Sequence, residues 1–400
     1  MHKLINKYIC KLEAQGLAKR DDALLIALDA GMFSNRPLTG ELSVLKDVLS
    51  LMNISSILFA RPAEPYWSMI REVLSHAGGA DSVVPMDCET RTFFHDIPVI
   101  DEFSPQAIAS ALSRRKSAII RDRGIVTYGT VTPEQAYVSF SSACFSVYVK
   151  YFHDALQYFG AHAANSEKVS KEYLAAFKDI SKKADTASPP RKWRVLRSEP
   201  PCNEDDVLFM ITEAGRAVVS QQLVDSYFGN ISYVFDKNIY ISQTGSSMDE
   251  LEGCIDIVPL DGSSSAGITA SSELTAHRNI FLHTGRTAIL HGHPRFSVIM
   301  SMYCKKSGCD RSLCHKACTE KREILATPIV PGEIGTGASG LMNTVPPAMQ
   351  EGKGVIVYGH GVFTAGDVTF RGPFDMLMEI EEKCRASYFR AVNDLLEHLS

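Results

Sequence analysis

The sequence predicts an α/β protein in which helices cover a central β-sheet, built as two related halves. Short apolar, strand-like runs alternate with helical patterns along the chain, and this alternation favours a layered α/β architecture. Residues 185–205 contain two Pro-Pro pairs among many charged residues, a composition typical of an extended linker. We therefore expect one domain at residues 1–184 and a second at residues 206–400, each long enough to bury a core.

Three histidines at predicted strand ends form the strongest functional signal. His291 and His293 follow the apolar run at residues 287–290, and His360 follows a second run at residues 355–358. Alternate residues of a strand point to the same side, so His291 and His293 can face one ion. A third histidine from another strand end completes a three-nitrogen site with one open position, the coordination of catalytic zinc. The alternative is three ordinary histidines beside turn glycines.

A glutamate and several small polar residues precede the histidine pair. A carboxylate such as Glu273 near a Lewis-acid metal can move a proton to or from a neighbouring atom. Alternatively, Glu273 is a first-turn acid of a helix capped by Ser271 or Ser272. Upstream, Asn230 and the Thr244-Gly245 pair offer amide, hydroxyl and backbone N–H groups that can hold phosphate oxygens, although each is also ordinary turn chemistry.

Together these segments resemble the class II aldolase/adducin family. The motifs GNIS, TGS, LDG, SSE…H, HGHP and YGHG occur in family order from about residue 207 to the C-terminus. The resemblance implies a three-layer αβα fold whose central sheet is mixed and mostly antiparallel. It implies Zn²⁺, or another divalent ion, held by His291, His293 and His360, with Glu273 as the acid/base. The residues that match the family's phosphate site are Asn230, Thr244, Gly245, Ser271 and Ser272.

The resemblance further implies a metal-dependent lyase that cleaves or forms a C–C bond in a small phosphorylated keto-sugar. Epimerases, dehydratases and decarboxylases share the scaffold, and a non-catalytic adducin-like binding module is the alternative from another class. Retention of three ligands together with the acid favours an enzyme. Phe228 stands where many members have glycine, which leaves the shape of the phosphate pocket open, and no tyrosine proton donor is assigned. We also expect a homo-oligomer.

An internal repeat suggests that the N-terminal domain is a degenerate copy of the C-terminal one. Residues 111–129 parallel residues 348–366 at a constant offset, and each segment leads into a predicted long helix. The matched pairs are Lys116 with Lys353, Gly124 with Gly361, and Gly129 with Gly366. At the position of His360 the first copy has Arg123, which has no lone pair for a metal. A coincidental strand–turn–helix likeness is the alternative.

Four of the ten cysteines cluster in a charged, glycine-containing segment. They are Cys304, Cys309, Cys314 and Cys318. Four thiols this close in sequence can close on one tetrahedral ion, which predicts a second, structural metal site. No Cys-x-x-Cys pair is present, so this signal is weaker than that of a zinc ribbon. An iron–sulfur cluster and unliganded thiols are the alternatives.

Composition favours a cytoplasmic enzyme. The 400-residue chain is 45% hydrophobic and 22% charged with a net charge of −5, and its pI is near 6.2. This balance argues against a nucleic-acid or membrane-surface partner. No apolar run approaches the roughly 18 residues that cross a bilayer, and the first residues lack a signal-peptide core. We expect a cytoplasmic protein with reduced thiols.

Overall fold

The chain folds into two compact units, Met1–Ser188 and Pro189–Ser400. The computed structural model describes residues 1–76, 79–189, 196–225, 227–263, 268–306, 309–318, 320–333, 337–350 and 352–397. Around the predicted linker at residues 185–205, one helix ends at Ala187 and the next begins at Glu204, and residues 190–195 lie outside the described ranges. The exact linker boundaries stay a prediction.

The N-terminal unit has a seven-stranded sheet. Its strands are β1 (Ala18–Leu28), β2 (Met32–Ser34), β3 (Ser56–Pro62), β4 (Ser82–Val83), β5 (Ile97–Ile100), β6 (Ser117–Ile120) and β7 (Gly124–Gly129). They lie in the order β2-β1-β3-β7-β6-β5-β4. All neighbouring pairs are antiparallel except β5 and β6. The helices are α1 (His2–Ala14), α2 (Glu41–Leu51), α3 (Tyr66–His76), α4 (Cys88–Phe94), α5 (Pro105–Leu112), α6 (Pro133–Asn165) and α7 (Lys171–Ala187).

Helices cover both faces of this sheet. Apolar residues recur at helical spacing in α2, where Leu42, Leu45 and Val48 are buried. With α5 they form one core cluster against strand residues such as Ile57 and Val126. Helices α1, α3 and α6 pack together, and α1 and α6 also contact the strands. The central sheet therefore lies between two helical layers.

The C-terminal unit has the same plan with eight strands. They are β8 (Asn230–Phe235), β9 (Asn238–Ser242), β10 (Ile255–Pro259), β11 (Ala288–Gly292), β12 (Arg322–Ile324), β13 (Thr327–Val330), β14 (Gly354–Val357) and β15 (Gly361–Gly366). Their order is β10-β9-β8-β11-β15-β14-β13-β12. Only the β13–β14 pair is parallel. The helices are α8 (Glu204–Ser220), α9 (Leu274–Thr284), α10 (Arg295–Met302), α11 (Leu341–Gln350) and α12 (Arg371–Glu397).

The predicted three-layer α/β fold with a mixed, mostly antiparallel sheet is confirmed. On one face, Val355 and Val357 of β14 form a core cluster with residues of α9 and α11. On the other face, a Cβ placed on Gly354 would lie 2.7 Å from the side chain of Ile380 in α12. Alternate residues of one strand thus meet different helical layers, as the two-residue period of a strand requires. Within the described ranges, no helix is both long and apolar enough to cross a membrane.

The two units share strand order and register around the predicted repeat. The β6–β7 ladder begins with Ser117 opposite Thr127, and the β14–β15 ladder begins with Gly354 opposite Thr364. These pairs are related by the same offset as the sequence repeat. Each ladder is followed by a long helix, α6 or α12, as predicted. The duplicated architecture is therefore visible in the pairing of individual strands.

The matched glycines of the repeat serve the same purpose in each unit. A Cβ on Gly124 would lie 2.4 Å from the carbonyl oxygen of Ala60, and one on Gly361 would lie 2.5 Å from that of Gly292. Real Cβ atoms do not approach a backbone oxygen so closely, so any side chain would push the neighbouring strand ends apart. Glycine is therefore required where β7 starts beside β3 and where β15 starts beside β11.

Candidate metal centre

The centre of the second sheet positions the three histidines. His291 lies in β11, opposite Asn230 of β8 and Phe363 of β15. His293 follows β11 by one residue, so it shares the side of His291. His360 lies in the turn between β14 and β15, where its N–H bonds the carbonyl of Val357. The predicted ligands are distant in sequence, yet they meet at the same end of the central strands β11 and β15.

The three imidazoles converge at distances that suit one metal ion. The Nε2 atom of His291 lies 3.0 Å from Nε2 of His293 and 3.2 Å from Nε2 of His360. Zinc–nitrogen bonds of about 2.0–2.1 Å in a tetrahedron require nitrogens roughly 3.3 Å apart. Among the described residues, these histidines form the only group of three or more His, Cys, Asp or Glu side chains that could hold an ion. The donor set therefore fits a divalent metal.

Burial keeps the imidazoles of His291 and His293 in the neutral form that binds metals. His291, His293 and His360 are each at most 2% exposed. Burial lowers the pKa of His291 to about 4 and that of His293 well below its ordinary value. Nδ1 of His291 lies 3.1 Å from the carbonyl oxygen of Val362, which can only accept, so Nδ1 carries the proton. Its Nε2 lone pair is then directed at the other histidines.

Glu273 adds a carboxylate to the cluster. Its oxygens lie 3.2 Å from Nε2 of His360 and 3.5 Å from Nε2 of His291, and Oε2 accepts a 2.8 Å hydrogen bond from Nδ2 of Asn230. Burial alone raises the pKa of Glu273, but the neighbouring histidines and the Asn230 hydrogen bond outweigh burial and lower it. An ionised carboxylate beside the histidines can accept a proton from a bound ligand.

The helix-start alternative for Glu273 describes its backbone but not its side chain. Helix α9 begins at Leu274, so Glu273 occupies the N-cap position, one residue before the first turn, and its side chain makes no capping hydrogen bond. The Ser271 hydroxyl instead accepts from the Glu273 N–H at 3.3 Å. The helix start therefore fixes the Glu273 backbone and leaves its carboxylate free to face the histidines.

The predicted phosphate residues come from two segments that lie side by side. The N–H and hydroxyl of Thr244 donate to the carbonyls of Thr269 and Ala270, each at 2.9 Å, and the Ser271 N–H donates to Ser242 at 3.0 Å. These bonds set Thr244 and Gly245 beside Ser271 and Ser272, and Glu273 links that segment to Asn230. The predicted phosphate-binding residues therefore lie in adjacent segments next to Glu273. Their role in phosphate binding stays a prediction.

Phe228 and Gly229 pack directly on the histidine cluster. The Phe228 ring stacks on His293 with centroids 5.5 Å apart. Gly229 has a φ of +82°, and a Cβ there would lie 2.4 Å from the carbonyl oxygen of His291. The departure from the family's glycine at position 228 therefore supplies an aromatic support for a candidate metal ligand, while Gly229 is required by close backbone contact.

Two further polar residues of the site were given no role in the sequence analysis. His277 is fully buried and lies between Ser232 and the Asn230 side chain, which in turn contacts Glu273. The available signals were its place at the end of the SSE…H motif and its spacing: His277 follows Glu273, the N-cap residue of α9, by four residues, so the two project from the same side of the helix start. Ser232 alternates with Asn230 along β8, which puts both on one side of the strand.

The four clustered cysteines do not converge in the same way. All are free thiols, Cys314 is buried and Cys309 is exposed. Cys304, Cys309, Cys314 and Cys318 are all described, yet no three of them meet within the distance that groups the histidines. The four cysteines are close in sequence, but their sulfur atoms do not converge on a point where one ion could bind. The structure of the described residues therefore does not support the predicted second metal site.

The equivalent positions of the N-terminal unit carry a different set of side chains. By strand register, Phe59 of β3 corresponds to His291 of β11, and Arg61 corresponds to His293 just after β11, because β3 pairs with β7 as β11 pairs with β15. Arg123 precedes β7 as His360 precedes β15. Arg123 forms an ion pair with Glu41 at the start of α2. The Arg123–Glu41 ion pair of the N-terminal unit therefore corresponds to the His360–Glu273 contact of the C-terminal unit, with a permanently charged arginine in place of the histidine.

Comparison with solved structures finds class II aldolases. An L-fuculose-1-phosphate aldolase from Thermus thermophilus has 20% identity and a TM-score of 0.38, covering 47% of this chain and 96% of its own. YgbL, a putative aldolase/epimerase/decarboxylase from Klebsiella pneumoniae, has 20% identity and a TM-score of 0.39, covering 49% and 100%. At these values the likeness carries no information about the substrate. No curated protein matches the chain.

The family match covers the whole histidine site. Residues 210–388 match the model described as the Class II Aldolase and Adducin N-terminal domain. The matched range includes His291, His293, His360 and Glu273, and it spans most of the second unit. The resemblance read from the motifs is thereby confirmed. The C-terminal unit contains a domain of the class II aldolase and adducin family.

Proposed function

We propose that the C-terminal domain is a metal-dependent lyase that cleaves or forms a C–C bond in a small phosphorylated keto-sugar. The observation that carries this proposal is the convergence of three buried imidazole nitrogens with a carboxylate 3.2 Å from one of them. A binding module has no need for a buried histidine cluster with an ionised acid beside it. An enzyme that must hold a divalent ion and move a proton needs both.

The residues divide the work between metal binding, proton transfer and phosphate recognition. His291, His293 and His360 would hold the ion, which would supply Lewis-acid polarisation of a substrate oxygen at neutral pH. Glu273 accepts or returns a proton at a substrate carbon, within the pocket that these side chains form. Asn230 keeps the Glu273 carboxylate in place through its 2.8 Å hydrogen bond. Thr244 donates its N–H and hydroxyl to neighbouring carbonyls and so holds its segment in place, and the Gly245 N–H and the Ser271 and Ser272 hydroxyls are the proposed donors to the phosphate.

The decisive experiment combines metal analysis with a substrate screen. We expect one divalent ion, with zinc as the proposed metal, per chain and turnover of at least one phosphorylated ketose, with loss of turnover on chelation. Glu273→Gln should keep the metal and lower turnover by about 10²–10⁴-fold. His283→Gln, an exposed histidine of the same helix, is the matched control. A metal-loaded protein that leaves every phosphorylated ketose unchanged would refute the lyase and favour a binding role.

The same screen separates the related chemistries. Lyase action releases two carbonyl fragments, epimerisation preserves mass and dehydration removes one water, whereas a decarboxylase would instead release CO₂ from a substrate that carries a carboxylate. Inorganic phosphate should compete with the substrate, because the proposed pocket recognises the phosphate group. We also propose a homo-oligomer in the cytoplasm, and light scattering of the purified protein tests the oligomer directly.

A further inference from the structure

We propose that His277 is a positioning residue that fixes the orientation of the Asn230 side-chain amide and, through it, the Glu273 carboxylate. His277 is fully buried in α9. Its ring nitrogens contact Ser232 and Asn230, so its hydrogen bonds reach the histidine cluster and Glu273 through Asn230. The part of this proposal that concerns turnover rests on the proposed function, whereas the part that concerns the amide orientation does not.

The contacts form one continuous chain of hydrogen bonds. Ser232 Oγ lies 2.6 Å from Nδ1 of His277. Nε2 of His277 contacts Oδ1 of Asn230, and Nδ2 of Asn230 donates to Oε2 of Glu273 at 2.8 Å. Ser232 and His277 are completely buried, and Asn230 is 6% exposed. Because Ser232 and His277 are fully buried, their polar atoms depend on these protein partners.

The direction of each hydrogen bond follows from the chemistry of the groups. Asn230 presents its NH₂ to Oε2 of Glu273 and its oxygen to Nε2 of His277. That oxygen only accepts, so Nε2 of His277 must carry the proton. A neutral imidazole then has a lone pair on Nδ1, which accepts from the Ser232 hydroxyl. Burial lowers the pKa of His277 to about 3, so the neutral form holds at physiological pH.

His277 therefore selects one of two amide orientations. If the Asn230 amide rotated by half a turn, its oxygen would face the Glu273 carboxylate and its NH₂ would face the protonated Nε2 of His277. Both contacts would be repulsive in a buried site. The selected orientation commits one Asn230 N–H to Glu273 and leaves the second N–H for a ligand oxygen. One side chain would thus hold the acid/base and meet the substrate.

A purely structural role makes different predictions. The His277 ring also packs edge-on against Phe363, with centroids 5.8 Å apart. If His277 served only to fill this space, an apolar side chain of similar size would replace it without affecting turnover. If it orients Asn230, only a residue with an N–H at the position of Nε2 can replace it.

Substitution pairs on α9 test the positioning role. His277→Leu should keep the metal and lower kcat by about 10–100-fold, as loss of a partner behind a catalytic group typically does. His277→Gln, whose amide can donate to Asn230, should recover most of that loss. His283→Leu and His283→Gln are matched controls at an exposed histidine of the same helix, and both should stay within about twofold. Wild-type kcat in His277→Leu, or equal loss in both His277 variants, would overturn the proposal.

A second measurement needs no substrate and no variant. In protein labelled with ¹⁵N-histidine, the chemical shifts of the His277 ring should show a protonated Nε2 and an unprotonated Nδ1 at neutral pH. A proton on Nδ1, or on both nitrogens, would overturn the assigned chain of hydrogen bonds. If the expected tautomer is found and no phosphorylated ketose is turned over, the lyase proposal fails while the positioning of Asn230 stands.

Discussion

Glu381 should be a main support of the metal centre although it lies outside it. This buried residue of α12 is 3% exposed and accepts three hydrogen bonds. The donors are the Phe296 N–H at 2.9 Å, the Ser297 N–H at 2.9 Å and the Ser297 hydroxyl at 2.8 Å. Helix α10 begins at Arg295, two residues after His293, so the Glu381 carboxylate caps the helix that carries the chain away from a candidate ligand.

The cost of removing this charge can be worked out from these contacts. Glu381→Gln keeps the shape but replaces one accepting oxygen with an NH₂ group, which leaves at least one buried donor unsatisfied. Hydrogen bonds to a charged group contribute about 1.5–3 kcal/mol each, and an unsatisfied buried donor costs about 1–3 kcal/mol. We therefore expect the free energy of unfolding of the C-terminal unit to fall by about 2–4 kcal/mol, with weaker metal binding because His293 is less firmly held.

Urea unfolding, monitored by hydrogen exchange and mass spectrometry, measures the free energy of unfolding of the C-terminal unit separately from that of the N-terminal unit. Glu379→Gln is the matched control, since Glu379 is an exposed glutamate of the same helix whose contact is an ion pair with Lys383. Its effect should stay within about 0.5 kcal/mol. If the two variants lose the same stability, or if Glu381→Gln loses less than about 1 kcal/mol, the capping argument is wrong.

Three further outcomes follow from the site. His360→Ala should abolish stoichiometric metal binding in metal analysis; a variant that keeps one ion per chain would show that His360 is not a ligand. His277 binds fewer protons folded than unfolded, because its pKa falls from 6.5 to about 3. Its contribution to stability should be complete above pH 6.5 and be lost as the pH falls towards 3, by an amount on the order of 5 kcal/mol. Denaturant titrations across this range should give a shallower decline for His277→Leu, and an unchanged slope would contradict that assignment. Replacing Phe59, Arg61 and Arg123 together by histidine should add a second ion per chain, and a stoichiometry that stays at one would mean that the strand ends of the two units differ.

The sequence predicted the parts of the site that depend on local spacing. Alternation along a strand is enough to put His291 and His293 on one side, and the repeated glycine beside His360 predicted the matching strand end. The Asn230–His277 contact could not be predicted in this way, since it joins β8 to α9 across the fold. The same limit explains the cysteines: closeness in sequence between Cys304 and Cys318 does not determine where their sulfurs point.

The side chain of Glu273 shows why local rules also fall short at a site. Its position before α9 favours an ordinary helix-start acid, and propensity alone cannot separate that role from catalysis. The tertiary contacts decide, because the carboxylate contacts the buried histidines and Asn230 and makes no hydrogen bond to the helix N–H groups. The fold and the candidate ligands could thus be predicted from the motifs and the family resemblance, whereas the supporting hydrogen bonds could be identified only in the folded structure.

The ion pair between Arg123 and Glu41 has a consequence for how the protein responds to metal supply. Its positive charge belongs to the polypeptide, so no chelator can remove it. In the C-terminal unit, the positive charge that would balance Glu273 is that of a metal ion taken up from solution. An ion at a hundredfold excess over its dissociation constant adds about 2.7 kcal/mol to the free energy of unfolding. When free metal is scarce, the melting temperature of the C-terminal unit should therefore fall while that of the N-terminal unit stays the same. The difference between the two melting temperatures would then report the concentration of free metal.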